Sequence, residues 1–465
     1  MTIGRLPDDI LPEIFEFYAE EDNEDWWHTL IHVCRRWRNV VFTSPRRLNL
    51  RLRCIGTRSV RDMLDIWPEL PIVIEDLQGV DNVIAALEFN DRVSRITFLD
   101  VSSSELDRIV EAMQDPFPAL TDLCLWSTDG MAPVISDSFL GGSAPRLQFL
   151  GLERIPFPAL PNLLSSAIDL VYLDLEDLPH SGYISPSAMV TCLSALTRLE
   201  SLDLGFQSPR SRPDRTSRLP PPLTRTILPA LTRLRFKGVT EYLEDLVTQI
   251  DPPLLKDISI TFFNQLIFHI SQLPKFLCRT ETFTVLDQAT VSFYEEFISV
   301  NLSQRTGTNS ARLNLSISCG KLDWQLSSLV QVCNSALPTL STLERLNLRP
   351  AIYGPALVPG QDDIENTQWL DLLHPFINVK DLQLFEEVAP CVAPALQELT
   401  GERVTEVLPT LQNLFLDDFK ASRPVEEGIN QFVAARQFSG HPVAIHMGRR
   451  NDEETDEETD EEGND

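Results

Sequence analysis

Residues 147–204 read LQFLGLERIPFPALPNLLSSAIDLVYLDLEDLPHSGYISPSAMVTCLSALTRLESLDL. The pattern L-x-x-L-x-L occurs three times in this stretch, as Leu147/Leu150/Leu152, Leu170/Leu173/Leu175 and Leu199/Leu202/Leu204. Successive residues of a strand point to opposite faces, so the last two leucines of each unit share a face and the residues between them take the other. Between the units, Leu163 to Ala167 and Met189 to Leu196 place apolar residues at helical spacing. Strand and helix therefore alternate at a short period. One such unit is too small to enclose its own apolar face, and stacked copies bury a continuous core.

The pattern extends in both directions. Leu120/Leu123/Leu125 precedes the stretch, and Val93/Ile96/Phe98 precedes that. Leu231/Leu234/Phe236, Leu255/Ile258/Ile260, Leu343/Leu346/Leu348, Val379/Leu382/Leu384 and Leu411/Leu414/Leu416 follow, with Leu313/Leu315/Ile317 inside the series. From Val93 to Leu255 the units start 27, 27, 23, 29, 32 and 24 residues apart. This period, with these motifs, resembles leucine-rich repeats over most of residues 72–420. The resemblance implies an α/β solenoid with parallel strands on its concave face and helices outside. The Asn or Cys of the usual motif is replaced by Thr128, Ile155, Leu178, Gln207, Val239 and Phe263, which predicts irregular turns. An ordinary leucine-rich α/β core is the other reading of the spacing. Residues 262–310 are the least regular and fit one degenerate repeat around Phe283 to Leu286. Insertions at 179–186, 207–229 and 349–367 read as surface loops, the second carrying Arg210, Arg212, Arg215, Arg218 and Arg225.

Ahead of the repeats, residues 6–52 carry two apolar stripes. Ile10, Leu11, Ile14, Phe15 and Tyr18 form one, and Leu30, Val33, Cys34, Trp37 and Val41 the other. Glu20, Glu21, Asp22, Glu24 and Asp25 between them predict a solvated turn, hence a helical hairpin with a face that needs a partner. Pro12 fits only if the first helix starts near Ile10.

Leu6-Pro7, Ile10-Leu11, Ile14-Phe15, the run Val33-Cys34-Arg35-Arg36-Trp37-Arg38 and the closing Ser44-Pro45 resemble the F-box, and among F-box proteins most closely those of mushroom-forming fungi. The resemblance covers about a tenth of the chain. It implies docking on a Skp-type adaptor, and through it on cullin, by Leu6, Pro7, Ile10, Leu11, Ile14 and Trp37, with internal packing the other role open to Trp37. The domains expected are then an F-box-like helical segment (1–52), a repeat domain (53–445) and an acidic tail (446–465). The function expected is that of substrate receptor in a cullin-RING ubiquitin ligase. A protein-interaction scaffold outside any ligase is the alternative.

Charge bounds the partners. The chain has 68 acids against 39 Lys and Arg, a formal net charge of −29. Such a body repels nucleic acid, whose binding rests on phosphate neutralisation. Residues 26–60 dissent, with eight arginines and no acid, and suit a solvated helix face or an acidic adaptor. The closing DEETDEETDEE run lacks the apolar residues that folding requires, and Thr455 and Thr459 precede acidic triplets of the kind acidophilic kinases accept. Eight cysteines without a CxxC pair, no signal-peptide pattern and no membrane-length apolar run predict an intracellular chain without disulfides, in the cytoplasm or nucleus.

No phosphate loop, GxSxG or HExxH is present, and His28 and His32 find no further ligands, so neither catalysis, metal nor cofactor is expected. On the strand face opposite the leucines, charge falls in zones. Glu153, Asp174, Glu176 and Asp203 come first, then Arg233, Arg235 and Lys237, with Arg345 and Arg349 farther on. The cations form the expected substrate site, for an acidic or phosphorylated segment. Pairing with acids of adjacent strands is their other reading.

Overall fold

The computed structural model describes residues 6–17, 26–56, 59–77, 79–129, 132–213, 224–304, 311–319, 321–337, 340, 342–350, 365–417 and 423–448. It forms two compact units, Met1–Ile260 and Thr261–Asp465. Tyr18, the acidic turn after it, residues 214–223 of the arginine loop, residues 351–364 of the third insertion and the acidic tail from residue 449 onward lie outside the described residues.

The first unit opens with α1 (Leu11–Glu16), α2 (Trp26–Ile31) and α3 (Arg35–Thr43). Pro12 sits in the first turn of α1, with Ile10 at the N-cap, as its missing amide requires. The second helix of the expected hairpin is two helices, because Cys34 is extended (φ −162°, ψ 167°) and Val33 and Cys34 are exposed. An unbroken helix, at 3.6 residues per turn, would set the buried pairs Leu30/Ile31 and Val40/Val41 about 80° apart around its axis, and the break turns both inward. Phe15 meets Trp37 with ring centres 4.9 Å apart. Trp27 is enclosed, its indole N–H donating to the Arg51 carbonyl (3.1 Å) and its ring edge-on to Trp67 (5.4 Å), so the helical segment is packed onto the start of the repeats.

Repeats follow as β1 (Leu52–Gly56), α4 (Val60–Ile66), β2 (Ile72–Leu77), α5 (Val80–Leu87), β3 (Val93–Val101), α6 (Ser103–Ala112), β4 (Asp122–Ser127), β5 (Phe149–Glu153), α7 (Leu160–Leu164), β6 (Tyr172–Leu178), α8 (Pro186–Leu193) and β7 (Ser201–Phe206). After them come β8 (Thr226–Ile227), β9 (Arg233–Gly238), α9 (Thr240–Gln249), β10 (Ile250–Asp251) and β11 (Asp257–Phe263). Strands β1 to β7, β9 and β11 lie side by side in chain order, and β8 pairs with β10 apart from them. Register stacks the leucines into columns. Ile96, Leu123, Leu150, Leu173, Leu202 and Leu234 form one, and Phe98, Leu125, Leu152, Leu175, Leu204 and Phe236 the next. All are buried on the helix side of the sheet. Two strands, β1 and β2, precede the first unit read from sequence.

Backbone devices replace the absent Asn ladder. Asp100, Arg154 and Asp177 adopt positive φ (59°, 58° and 47°) at the strand ends. The amides of Thr128 and Gln207 then donate to the carbonyls of Val101 and Leu178 one repeat earlier (3.1 and 2.9 Å). An aromatic cluster fills the core beside β7 and β9. Tyr242 is fully buried between Phe206 (4.7 Å) and Phe236 (5.8 Å), its hydroxyl donating to the Ile184 carbonyl at 3.0 Å.

In the second unit α10 (Leu273–Arg279) precedes β12 (Gln288–Phe293), β13 (Phe297–Ser303), β14 (Arg312–Ser318) and α11 (Leu322–Ala336). Then come β15 (Arg345–Pro350), α12 (Asn366–Leu373), β16 (Asp381–Phe385), α13 (Ala389–Gln397), β17 (Asn413–Asp417), α14 (Arg423–Phe438) and β18 (Ala444–Met447). Its strand order is β14-β13-β12-β15-β16-β17-β18. The expected all-parallel sheet is interrupted here, since β13 runs antiparallel to both neighbours. Three residues separate β12 from β13, whereas a parallel return needs a crossover of about a dozen or more. The degenerate repeat expected around Phe283 to Leu286 is a short 3₁₀ turn, Glu281–Val285, leading into this hairpin. The protein is thus a mixed α/β chain of strand–helix repeats, the architecture of a leucine-rich repeat solenoid, with one hairpin inserted.

Candidate functional site

Helix α1 carries two apolar stripes rather than one. Leu11 and Phe15 are fully enclosed, with no exposed surface. Pro7 is exposed, Leu6, Ile10 and Ile14 are half-buried, and Phe17 is 89% exposed. Ile10, Ile14 and Phe17 are four and three residues apart, one outward line along the helix. Of the six expected adaptor contacts, Leu11 is therefore a core residue, and Trp37 is half-buried against Phe15. Phe17, which the sequence reading did not include, continues the line at a spacing of seven from Ile10. Arg36 anchors the chain leading into α1, pairing with Asp8 (2.7 Å) and donating to the Leu6 carbonyl, and Arg47 pairs with Glu16 and Glu13 (2.9 and 3.5 Å). Arg36 and Arg47 of the arginine-rich stretch are thus paired with acids of α1 and of the residues leading into it.

The face of the first unit's sheet turned away from the helices displays the residues between the leucines. One row runs Arg95, Asp122, Phe149, Tyr172, Ser201, Arg233, and the next Thr97, Cys124, Gly151, Asp174, Asp203, Arg235. In a third row Trp126, Glu153 and Glu176 are register neighbours, and Gly205 pairs with Lys237. Of the cations expected on β9 to greet a substrate, Lys237 and Arg235 are engaged with neighbouring acids, while Arg233 stands at the end of the first row. Lys237 pairs with Asp177 at 2.7 Å, and Arg235 lies 3.9 Å from Asp203. Arg154 bridges Glu153 (2.9 Å) and Asp177 (3.9 Å).

Acids dominate between those cations. Burial first, then the charges of Asp203 and Glu176, push the Asp174 carboxyl up to about 7. Burial likewise raises Glu153 and Asp203 in spite of Arg154 and Arg235 beside them. Asp174 Oδ1 is buried and accepts no hydrogen bond.

Arg345 and Arg349 stand on β15 of the second unit, so the expected cation set is divided between the two units. Arg345 pairs with Asp381 (3.3 Å), both well shielded, and Arg349 Nε donates to the Ser292 hydroxyl (3.1 Å). Around them the register sets Asn314, Asn301, Thr290, Asn347 and Gln383 in a line of amides and hydroxyls.

Among the described residues no group of three or more His, Cys, Asp or Glu could hold a metal ion, and no helix is long and apolar enough to cross a membrane. His28 stacks on Trp67 (5.0 Å) while His32 is exposed beyond the end of α2, so the two imidazoles are not brought together. The eight cysteines are free thiols, with Cys34 and Cys278 exposed.

No known protein family matches the chain, and no curated protein is similar to it in sequence. Among solved structures, the leucine-rich repeat-containing protein LegL7 from Legionella pneumophila is similar at 14% identity, over 82% of this chain and 97% of that one, with a TM-score of 0.26.

Proposed function

We propose that this chain is a non-catalytic receptor that docks on a Skp-type adaptor through α1 and holds a protein on its repeats for ubiquitin transfer by a cullin-RING ligase. The outward line of Pro7, Ile10, Ile14 and Phe17 carries the reading. The inner stripe of the same short helix already fills the core, so the outer one offers apolar surface to a partner. The sequence motifs around it resemble an F-box, and the strand–helix repeats behind it present an open sheet face to a second protein. The mechanism is proximity. Holding a substrate lysine beside a charged conjugating enzyme raises its effective concentration, and no side chain of this chain enters the chemistry. Affinity purification of the tagged chain from its own cells tests this, with adaptor and cullin expected to be recovered together. Adaptor without cullin would assign the chain to a scaffold outside the ligase, and recovery of neither would overturn the reading.

A further inference from the structure

On β6 the open-face residues are Tyr172, Asp174 and Glu176. Register puts Phe149, Gly151 and Glu153 on one side of them, and Ser201 and Asp203 on the other. These eight positions and the adjacent Gly205 hold four carboxylates, two aromatic rings and no lysine or arginine. Phe149 lies over Gly151, where a Cβ would come within 3.0 Å of its ring, and is 6.3 Å from the Tyr172 ring, centre to centre. The two rings thus make a platform at one end of the acids. Tyr172 and Glu176 are exposed, and neither Asp174 nor Glu176 forms an ion pair among the described residues. The cations of the neighbourhood stand around the rim, as Arg154 on Glu153, Arg235 near Asp203 and Lys237 on Asp177.

We propose that this open face of β5, β6 and β7 seats a lysine or arginine side chain of an extended basic segment in a partner protein. Charge complementarity selects the occupant. A cation set on the Phe149–Tyr172 platform meets two aromatic rings, and its N–H groups meet the carboxylates of Asp174 and Glu176, neither of which is paired with a cation of the described residues. An acidic or phosphorylated segment would meet four carboxylates before reaching the paired cations of β9. The inference deepens the receptor reading by naming the partner class, and its test needs no adaptor, so either can fail alone.

The experiment is a fluorescence titration of the full chain with a labelled ten-residue peptide rich in Lys and Arg, against the same peptide with Glu at those positions. Binding of the basic peptide alone is expected. Asp174→Asn and Tyr172→Ala are each expected to weaken it about tenfold, the scale of one charge-assisted or cation–π contact in a shielded site. The pair Glu111→Gln with Asp115→Asn, exposed acids outside the β-sheet, is expected to leave affinity unchanged, with the melting temperature of each variant measured alongside. Equal loss in that control pair would mean diffuse attraction to an acidic body and would overturn the proposal. So would equal binding of the Glu peptide, or binding that emerges only when Arg215 and Arg218 are replaced by Ala, which would assign the face to the chain's own loop.

Discussion

Arg436 has no exposed surface, and its guanidinium donates to the carbonyls of Val404 (3.2 Å), Pro409 (3.2 Å) and Leu411 (3.1 Å) while lying 5.9 Å from the centre of the Phe432 ring. Three carbonyls rely on one planar fork, so Arg436→Met is expected to cost about 3 kcal/mol and Arg436→Lys to recover only part of it, read from urea unfolding. A wild-type midpoint in the Met variant would contradict that account. Asp174 carries a pH signature. Its carboxyl is held at about 7 in the fold and ionises at about 3.9 in an unfolded chain. Between those values the native protein holds a proton that the unfolded chain has released, so this residue lowers stability as pH rises through the window. Asp174→Asn should therefore raise the melting temperature more at pH 8 than at pH 4.5, and an equal gain at both would refute the raised carboxyl. The open-face charges were legible in sequence because strand alternation alone assigns them a side. The choice between Ile10 and Leu11 was not, because helical spacing yields two apolar stripes on α1 and only packing against Trp37 and its neighbours selects the inner one.

Elements were legible wherever L-x-x-L-x-L recurred, since two buried leucines per strand fix both register and face. The hairpin of β12 and β13 was hidden because its residues alternate like any repeat strand, and direction is set by the length of the connection, which the apolar pattern does not encode. Gln325 of α11 ties the hairpin to the helix layer by hydrogen bonds. Its Nε2 donates to the carbonyls of Tyr294 (2.9 Å), in the turn between β12 and β13, and of Cys319 (2.6 Å), just after β14. Gln325→Leu keeps the volume and removes the donor, leaving two carbonyls unsatisfied. A loss of about 1–3 kcal/mol is expected, together with faster amide exchange confined to β12 and β13. Exchange rates unchanged in that hairpin would show that strand pairing alone holds it. The break at Cys34 was likewise illegible, because Val33 and Cys34 continue an apolar count that the fold leaves exposed.

Across the whole chain, charge is unevenly distributed. Residues 451–465 hold 10 of the 68 acids, and without them the balance is 58 acids to 39 bases, or −19. Their removal is expected to leave the melting temperature unchanged and to lower solubility, because it takes away charge and no apolar packing. A clear fall in melting temperature would mean that the acids contact the folded part. On α1, Leu11 and Phe15 are enclosed in the core, whereas Ile10 and Ile14 are half-buried and Phe17 is exposed. Leu11→Asp is expected to unfold the helical segment, which makes it a stability probe, whereas Ile10→Asp with Ile14→Asp alters the outward line. The central claim is tested most directly by titrating purified Skp-type adaptor into the wild-type chain and into the Ile10→Asp/Ile14→Asp chain, with the melting temperature of each recorded. Saturable binding by wild type and a loss of about a hundredfold or more in the double variant at equal melting temperature is the result expected for two buried apolar contacts. Equal affinity of the two chains, or no binding by the wild type, would contradict it.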